Sequence, residues 1–102
     1  MTYRVRFTAG ARADLLRFYE YLVADDIELA HRARVAIAKA TELLQDFPFS
    51  CRKATPDNPF LRELVIPFGS NRRSGYVALF EIENQDTVTI LALRHQREND
   101  YH

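Results

Sequence analysis

Thr87-Val88-Thr89-Ile90-Leu91-Ala92-Leu93, running directly into Arg94-His95-Gln96-Arg97-Glu98-Asn99-Asp100-Tyr101-His102, sets the architecture of this chain. β-Branched and aliphatic side chains fill the first part, the composition of a buried strand. The second part is polar and titratable throughout. A strand that empties into such a knot places chemistry at one end of a small sheet, where a rigid element meets solvent.

Working towards the N-terminus, Tyr76 to Glu83 reads as a second strand, joined to the first by Asn84-Gln85-Asp86, a connection short enough for an antiparallel hairpin. Tyr76, Ala78, Phe80 and Ile82 share one face of it. Val77 and Leu79 share the other with Glu81 and Glu83, since side chains alternate along a strand. Both faces are apolar near the start of this strand, so each needs a cover, and a partner is expected to supply the second. Leu61 to Ile66 is a further strand candidate. Between it and the N-terminal half, residues 48 to 59 carry Pro48, Pro56, Pro59 and Asp57-Asn58, which is loop chemistry.

The N-terminal half changes period. Tyr3, Val5 and Phe7 alternate with Arg4 and Arg6 as in a half-buried strand. Thr8 is placed to cap a helix from about Ala9 to Ala24, whose apolar stripe is Ala11, Leu15, Phe18, Tyr19 and Leu22. Asp25 and Asp26 stop it and cap a second helix. That helix carries Ala30, Ala33, Ile37, Ala40, Leu44 and Phe47 on one stripe and ends at Phe47-Pro48, because the residue before proline avoids the α region. The reading is one α+β domain over 1–102 in the order β-α-α-β-β-β: an N-terminal strand, a helical hairpin packed on one face of the sheet, then a three-stranded antiparallel segment.

Composition narrows the function classes. At 102 residues and 47% hydrophobic, the chain has material for one core. Its 14 basic residues balance 14 acidic ones, so no overall cationic field draws it to nucleic acid or to an anionic membrane. The cations gather at Arg52, Lys53, Arg62, Arg72 and Arg73, as a basic patch or as a solvated loop and strand edge. Cys51 is the only cysteine, which excludes an internal disulfide and a cysteine-based zinc site. No apolar run suits a signal or a bilayer span, so a cytoplasmic location with no membrane contact is expected. His31, His95 and His102 lack metal-ligand spacing, and Gly69 and Gly75 make no phosphate loop, so no metal, ATP or other cofactor is expected.

Four pieces of the chain carry a resemblance: the Tyr3 to Asp14 segment with its Asp14-Leu15 pair, Arg62-Glu63-Leu64-Val65-Ile66-Pro67-Phe68-Gly69, Gly75-Tyr76-Val77-Ala78-Leu79-Phe80, and Ile90-Leu91-Ala92-Leu93-Arg94-His95-Gln96-Arg97. In this order they resemble the RelE/ParE toxin superfamily, and most closely its ParE branch, also called plasmid stabilisation proteins. The resemblance implies the toxin half of a type II toxin-antitoxin pair, neutralised by a ParD-like antitoxin and assembled with it into a higher-order oligomer. An antitoxin segment laid on the apolar surface would use Leu15, Phe18, Leu22, Val77 and Leu79 as anchors. Sequence-specific operator binding would then belong to the antitoxin, not to this chain.

The branches imply different targets. A ParE-like toxin binds and inhibits DNA gyrase, with no catalytic residue; the effector surface would be Arg94, His95, Gln96 and Arg97 with Arg62. A RelE-like toxin is a ribosome-dependent mRNA endoribonuclease. RNA cleavage through the 2′-hydroxyl needs a base, an acid and a cation for the developing phosphorane charge. Arg62, Arg94 and Arg97 would supply charge, and His95, Tyr101 or His102 would move protons. Neutral charge, Lys53 as the one lysine outside the helices, and the Arg97 to Tyr101 spacing favour the gyrase branch. Arg94 and Arg97 also have Glu98 and Asp100 close by as pairing partners, and Tyr101 stands where chain ends ordinarily fray. A non-toxic remnant that only binds antitoxin is the third reading.

Overall fold

Arg4–Phe7 forms strand β1, and the Thr8 that follows caps helix α1, Ala9–Asp25, by accepting the Ala11 amide at 3.1 Å. Asp26 ends α1 and caps helix α2, Ile27–Asp46, where its carboxylate accepts the Glu28 and Leu29 amides. Caps of this kind stabilise a helix by about 1 kcal/mol each. Both lie where the sequence places them, and the helix boundaries agree to within a residue or two. The computed structural model describes residues 2–68, 75–98, 100 and 101. Gly69, Arg72, Arg73 and His102, with the roles expected of them, lie outside the described residues.

Residues 48 to 59 depart from the loop reading. Pro48–Ser50 is a single 3-10 turn, and Arg52–Thr55 forms strand β2, which turns through Pro56 and Asp57 into β3, Asn58–Pro67. β2 is short and irregular, with a register shift between Lys53 and Thr55, and it lies at the sheet edge where prolines are tolerated. The antiparallel segment therefore has four strands: β2, β3, β4 (Gly75–Ile82) and β5 (Thr87–His95). β1 joins β5 in parallel, and the full order is β1-β5-β4-β3-β2. The α+β order expected from the sequence holds, with one strand more.

Ala78, Phe80 and Ile82 of β4 and Val88, Ile90 and Leu93 of β5 meet Ala11 of α1 and Leu44 of α2 in the main core. Phe80 and Val88 have no exposed surface, and burial on this scale contributes about 1.5–3 kcal/mol per large apolar side chain. Tyr76 anchors a second cluster against Leu22, Ala30 and Ala33, stacked on Phe18 with ring centroids 4.6 Å apart.

β5 carries the fold's main irregularity. Leu79 pairs with Ala92 but Phe80 pairs with Ile90, so Leu91 is the extra residue of a bulge. β1 stops pairing at Ile90, and side chains of the helical segment take over beyond it. Thr8 Oγ1 donates to the Leu91 carbonyl at 3.0 Å, and Asp14 Oδ2 accepts the Leu93 amide at 2.9 Å. Two polar side chains thus finish the edge that β1 leaves open, which holds the far end of β5 straight into the polar cluster.

Candidate functional site

The cluster at the end of β5 folds back on itself. The Glu98 amide donates to the His95 carbonyl at 2.9 Å, while the His95 amide donates to Glu98 Oε1 at 2.8 Å. His95 Nδ1 accepts the Arg97 amide at 3.1 Å. Gln96 continues the ladder for one step by donating its amide to the Gly75 carbonyl. A methyl group at position 75 would sit 2.8 Å from both the Ile66 carbonyl oxygen and Gln96 Oε1, so glycine lets the turn close onto β4. Gln96 Oε1 is itself buried and has no hydrogen-bond partner among the described residues.

The arginines of this turn do different things. Arg94 is half-buried, and its Nη1 donates to the Glu98 carbonyl at 2.6 Å and to the His95 carbonyl at 3.4 Å. It therefore closes the turn. Arg97 is exposed, and among the described residues its guanidinium makes no ion pair.

Tyr101 does not fray. It is half-buried, its hydroxyl donates to Glu63 Oε2 at 2.6 Å, and Arg94 lies 5.3 Å over its ring. Burial, and then the adjoining Glu63 carboxylate, push its phenol well above the ordinary value, with Arg94 partly opposing. Glu63 pairs with Leu79 and Arg94 with Val77, so a tyrosine spanning Glu63 and Arg94 crosses β4 over these two residues. Val77 retains 1% of its surface. Tyr101, reaching back to β3, thus covers part of the face of β4 for which a partner is expected from the sequence.

Arg62 does not join the cluster. It pairs with Phe80, which faces the helices, whereas Glu63 faces the other side. Its Nε donates to the Pro59 carbonyl at 2.7 Å and its Nη1 to the carbonyls of Phe49 at 3.1 Å and Cys51 at 2.7 Å, while the guanidinium stacks on Phe49. It clamps the 3-10 turn to β3. Arg52, likewise part of the expected basic patch, pairs with Glu63 at 3.1 Å. Register decides these outcomes, and register was not readable from the arginines alone.

The expected apolar anchors fall on two sides of the sheet. Leu15, Phe18 and Leu22 line a groove of about 550 Å³ between α1 and α2, floored by Phe7 and Tyr76. Val77 and Leu79 lie on the opposite face, under and beside Tyr101. A second groove of about 560 Å³, which sequence reasoning missed, runs between α2 and the stretch of β3 beyond the end of β2. His31, Arg32 and Lys39 rim it, and Val35, Leu43 and Leu64 supply its apolar walls. Its signal in sequence was the cationic face of α2, which shares the helix with the apolar stripe.

Among the described residues no group of His, Cys, Asp and Glu is arranged to hold a metal ion, and no helix is long and apolar enough to cross a membrane.

The model of the family described as ParE toxin of type II toxin-antitoxin system, parDE, matches residues 5–100. A solved structure titled as the chromosomal ParDE TA system from P. aeruginosa is similar in fold, with a TM-score of 0.67 and 22% identity, covering 92% of this chain and 96% of that one. No curated protein matches the chain.

Proposed function

Because this chain belongs to the ParE toxin family of type II toxin-antitoxin systems, we propose that it inhibits DNA gyrase by binding it and is held neutral by a ParD-like antitoxin. The observation that carries the choice of target is the separation of Arg62 from Arg94 and Tyr101 by the sheet. An RNA-cleaving site needs its cations and proton carriers around one phosphate. Here Arg62 is spent on three backbone carbonyls, Arg94 on the turn, and the Tyr101 proton on Glu63. What the turn offers outward is Arg97, with His95 and Gln96 beside it, a surface suited to recognition by contact.

The groove between α1 and α2 supports the antitoxin reading. Leu15 and Phe18 are half-buried there, and Leu16 keeps 59% of its surface exposed. An amphipathic helix laid in it gains affinity from apolar anchors at helical spacing and register from Arg34 on the rim. The fold neighbour from P. aeruginosa is by its title a toxin-antitoxin system, consistent with the same arrangement. Assembly with antitoxin would be higher-order, in the cytoplasm.

Purified toxin titrated into a gyrase supercoiling reaction, beside an in vitro translation reaction with primer extension on the message, tests the target. Loss of supercoiling with intact message is the expected result. Message cut only in the presence of ribosomes would overturn it in favour of the endoribonuclease, and inactivity in both would point to an antitoxin-binding remnant.

A further inference from the structure

Tyr101 and Glu63 have no place in a site that works by exposed contacts, yet their hydrogen bond is among the shortest in the molecule at 2.6 Å and joins residues 38 positions apart. Glu63 binds two donors at once, the Tyr101 hydroxyl on Oε2 and Arg52 Nε on Oε1. The Tyr101 ring in turn supports Arg94, whose Nη1 holds the Glu98 carbonyl. A continuous chain of contacts therefore runs from β2 through β3 and across β4 to the turn at 95–98. Every member except Arg52 is at least half-buried, and Arg97 is the exposed cation at its far end.

We infer that Tyr101 and Glu63 are positioning residues for the effector surface: their hydrogen bond clasps the C-terminal segment across the back of the sheet and fixes the turn that presents Arg97. This rests on the reading of Arg94–Arg97 as the surface that contacts gyrase. Preorganisation is what the clasp supplies. A surface turn of four residues samples many conformers when its end is free, and a binding partner must then supply the ordering cost. Here Arg94 can close the turn only while the Tyr101 ring packs beside it, and the ring stays only while Glu63 accepts its hydroxyl. Removing that hydroxyl leaves a largely buried carboxylate oxygen without its donor, a loss of the size of a hydrogen bond to a charged group.

Tyr101→Phe and Glu63→Gln distinguish positioning from general stability, since both keep the shape of the site. Phe keeps the ring but lacks the donor that holds it over Arg94. Gln keeps an acceptor for the hydroxyl, while exposed Arg52 turns into solvent. Amide exchange at Gln96 and Glu98, followed by NMR on the full chain, reads the turn. The supercoiling assay reads the effector surface, and Arg97→Glu, scored first, tests whether that surface lies there at all.

The expected result is that Tyr101→Phe speeds exchange at both amides by about tenfold and raises the toxin concentration for half-inhibition by a similar factor. Core amides of β4 should stay unchanged, and Glu63→Gln should behave close to the parent. Exchange that rises while inhibition holds would overturn the positioning role, and exchange that does not change would overturn the clasp. If the parent fails to inhibit, or Arg97→Glu inhibits as well as the parent, the effector-surface reading itself has failed and this inference falls with it.

Discussion

Asp14 Oδ2 lies 2.9 Å from the Leu93 amide nitrogen, so a helix carboxylate occupies the position where a neighbouring strand would have offered a carbonyl. Asp14 is 5% exposed and also pairs with Arg17 at 3.3 Å. Asp14→Ala leaves a buried amide on β5 without an acceptor and should cost about 2–3 kcal/mol in urea unfolding. Asp14→Asn, which keeps an acceptor, should cost less than half of that. Equal effects would mean that charge, not the hydrogen bond, is what matters there.

Arg62 was a natural choice for an effector residue, and its geometry makes it a clamp. Arg62→Ala frees the carbonyls of Phe49, Cys51 and Pro59 and should lower stability by about 1–2 kcal/mol in chemical denaturation. Arg62→Lys should recover little, because an ammonium cannot spread its donors over a planar fork. Unchanged stability together with lost gyrase inhibition would return Arg62 to the effector surface.

Alkaline pH should unfold the protein partly through Tyr76. Burial between Phe18 and Phe68 pushes its phenol up from 10.0 to about 12. The folded state therefore holds the proton more tightly than the unfolded chain does. The resulting stabilisation is complete below pH 10 and is lost as pH rises from there to about 12. Thermal melts of the parent should fall across that window. Tyr76→Phe should flatten the fall, and an unchanged slope would contradict the assignment.

Cys51 is 8% exposed, and its thiol is raised by burial, with Ser50 and Arg62 only partly offsetting this. Thiolate is the reactive form, so alkylation by iodoacetamide at about pH 8 should be slow while the protein is folded. Denaturant should raise the rate in step with global unfolding. Fast alkylation of folded protein would show that the β2 edge opens locally.

Much of the fold was readable because its signals are local. Thr8 and Asp26 are caps by side-chain chemistry, and β4 and β5 are strand-rich apolar runs on either side of a short connection, residues 83 to 86. β2 was not readable: four residues beside Pro48 and Pro56 have neither the length nor the pattern of a strand, and only pairing with β3 defines them. The site divides in the same way. The Arg94–Arg97 turn follows from its place at the end of a strong strand. The faces of Arg62 and Glu63 depend on register with β4, and Tyr101 depends on a contact 38 positions away, information that no window of sequence contains.

The parallel pairing of β1 with β5 bears on how this protein comes into being. β1 has β5 as its strand neighbour, so Arg4 waits for Thr87 before the sheet can close. Contacts that distant are slow to form, because the loop between them must be closed before they stabilise anything. While the chain is being synthesised, the helical hairpin emerges early with its apolar stripe uncovered, and the Asp14 carboxylate has no Leu93 to receive. The turn carrying Arg97 takes shape last of all. A nascent chain built in this order exposes the apolar stripe of its helices to a neighbour before the turn proposed to contact gyrase has formed.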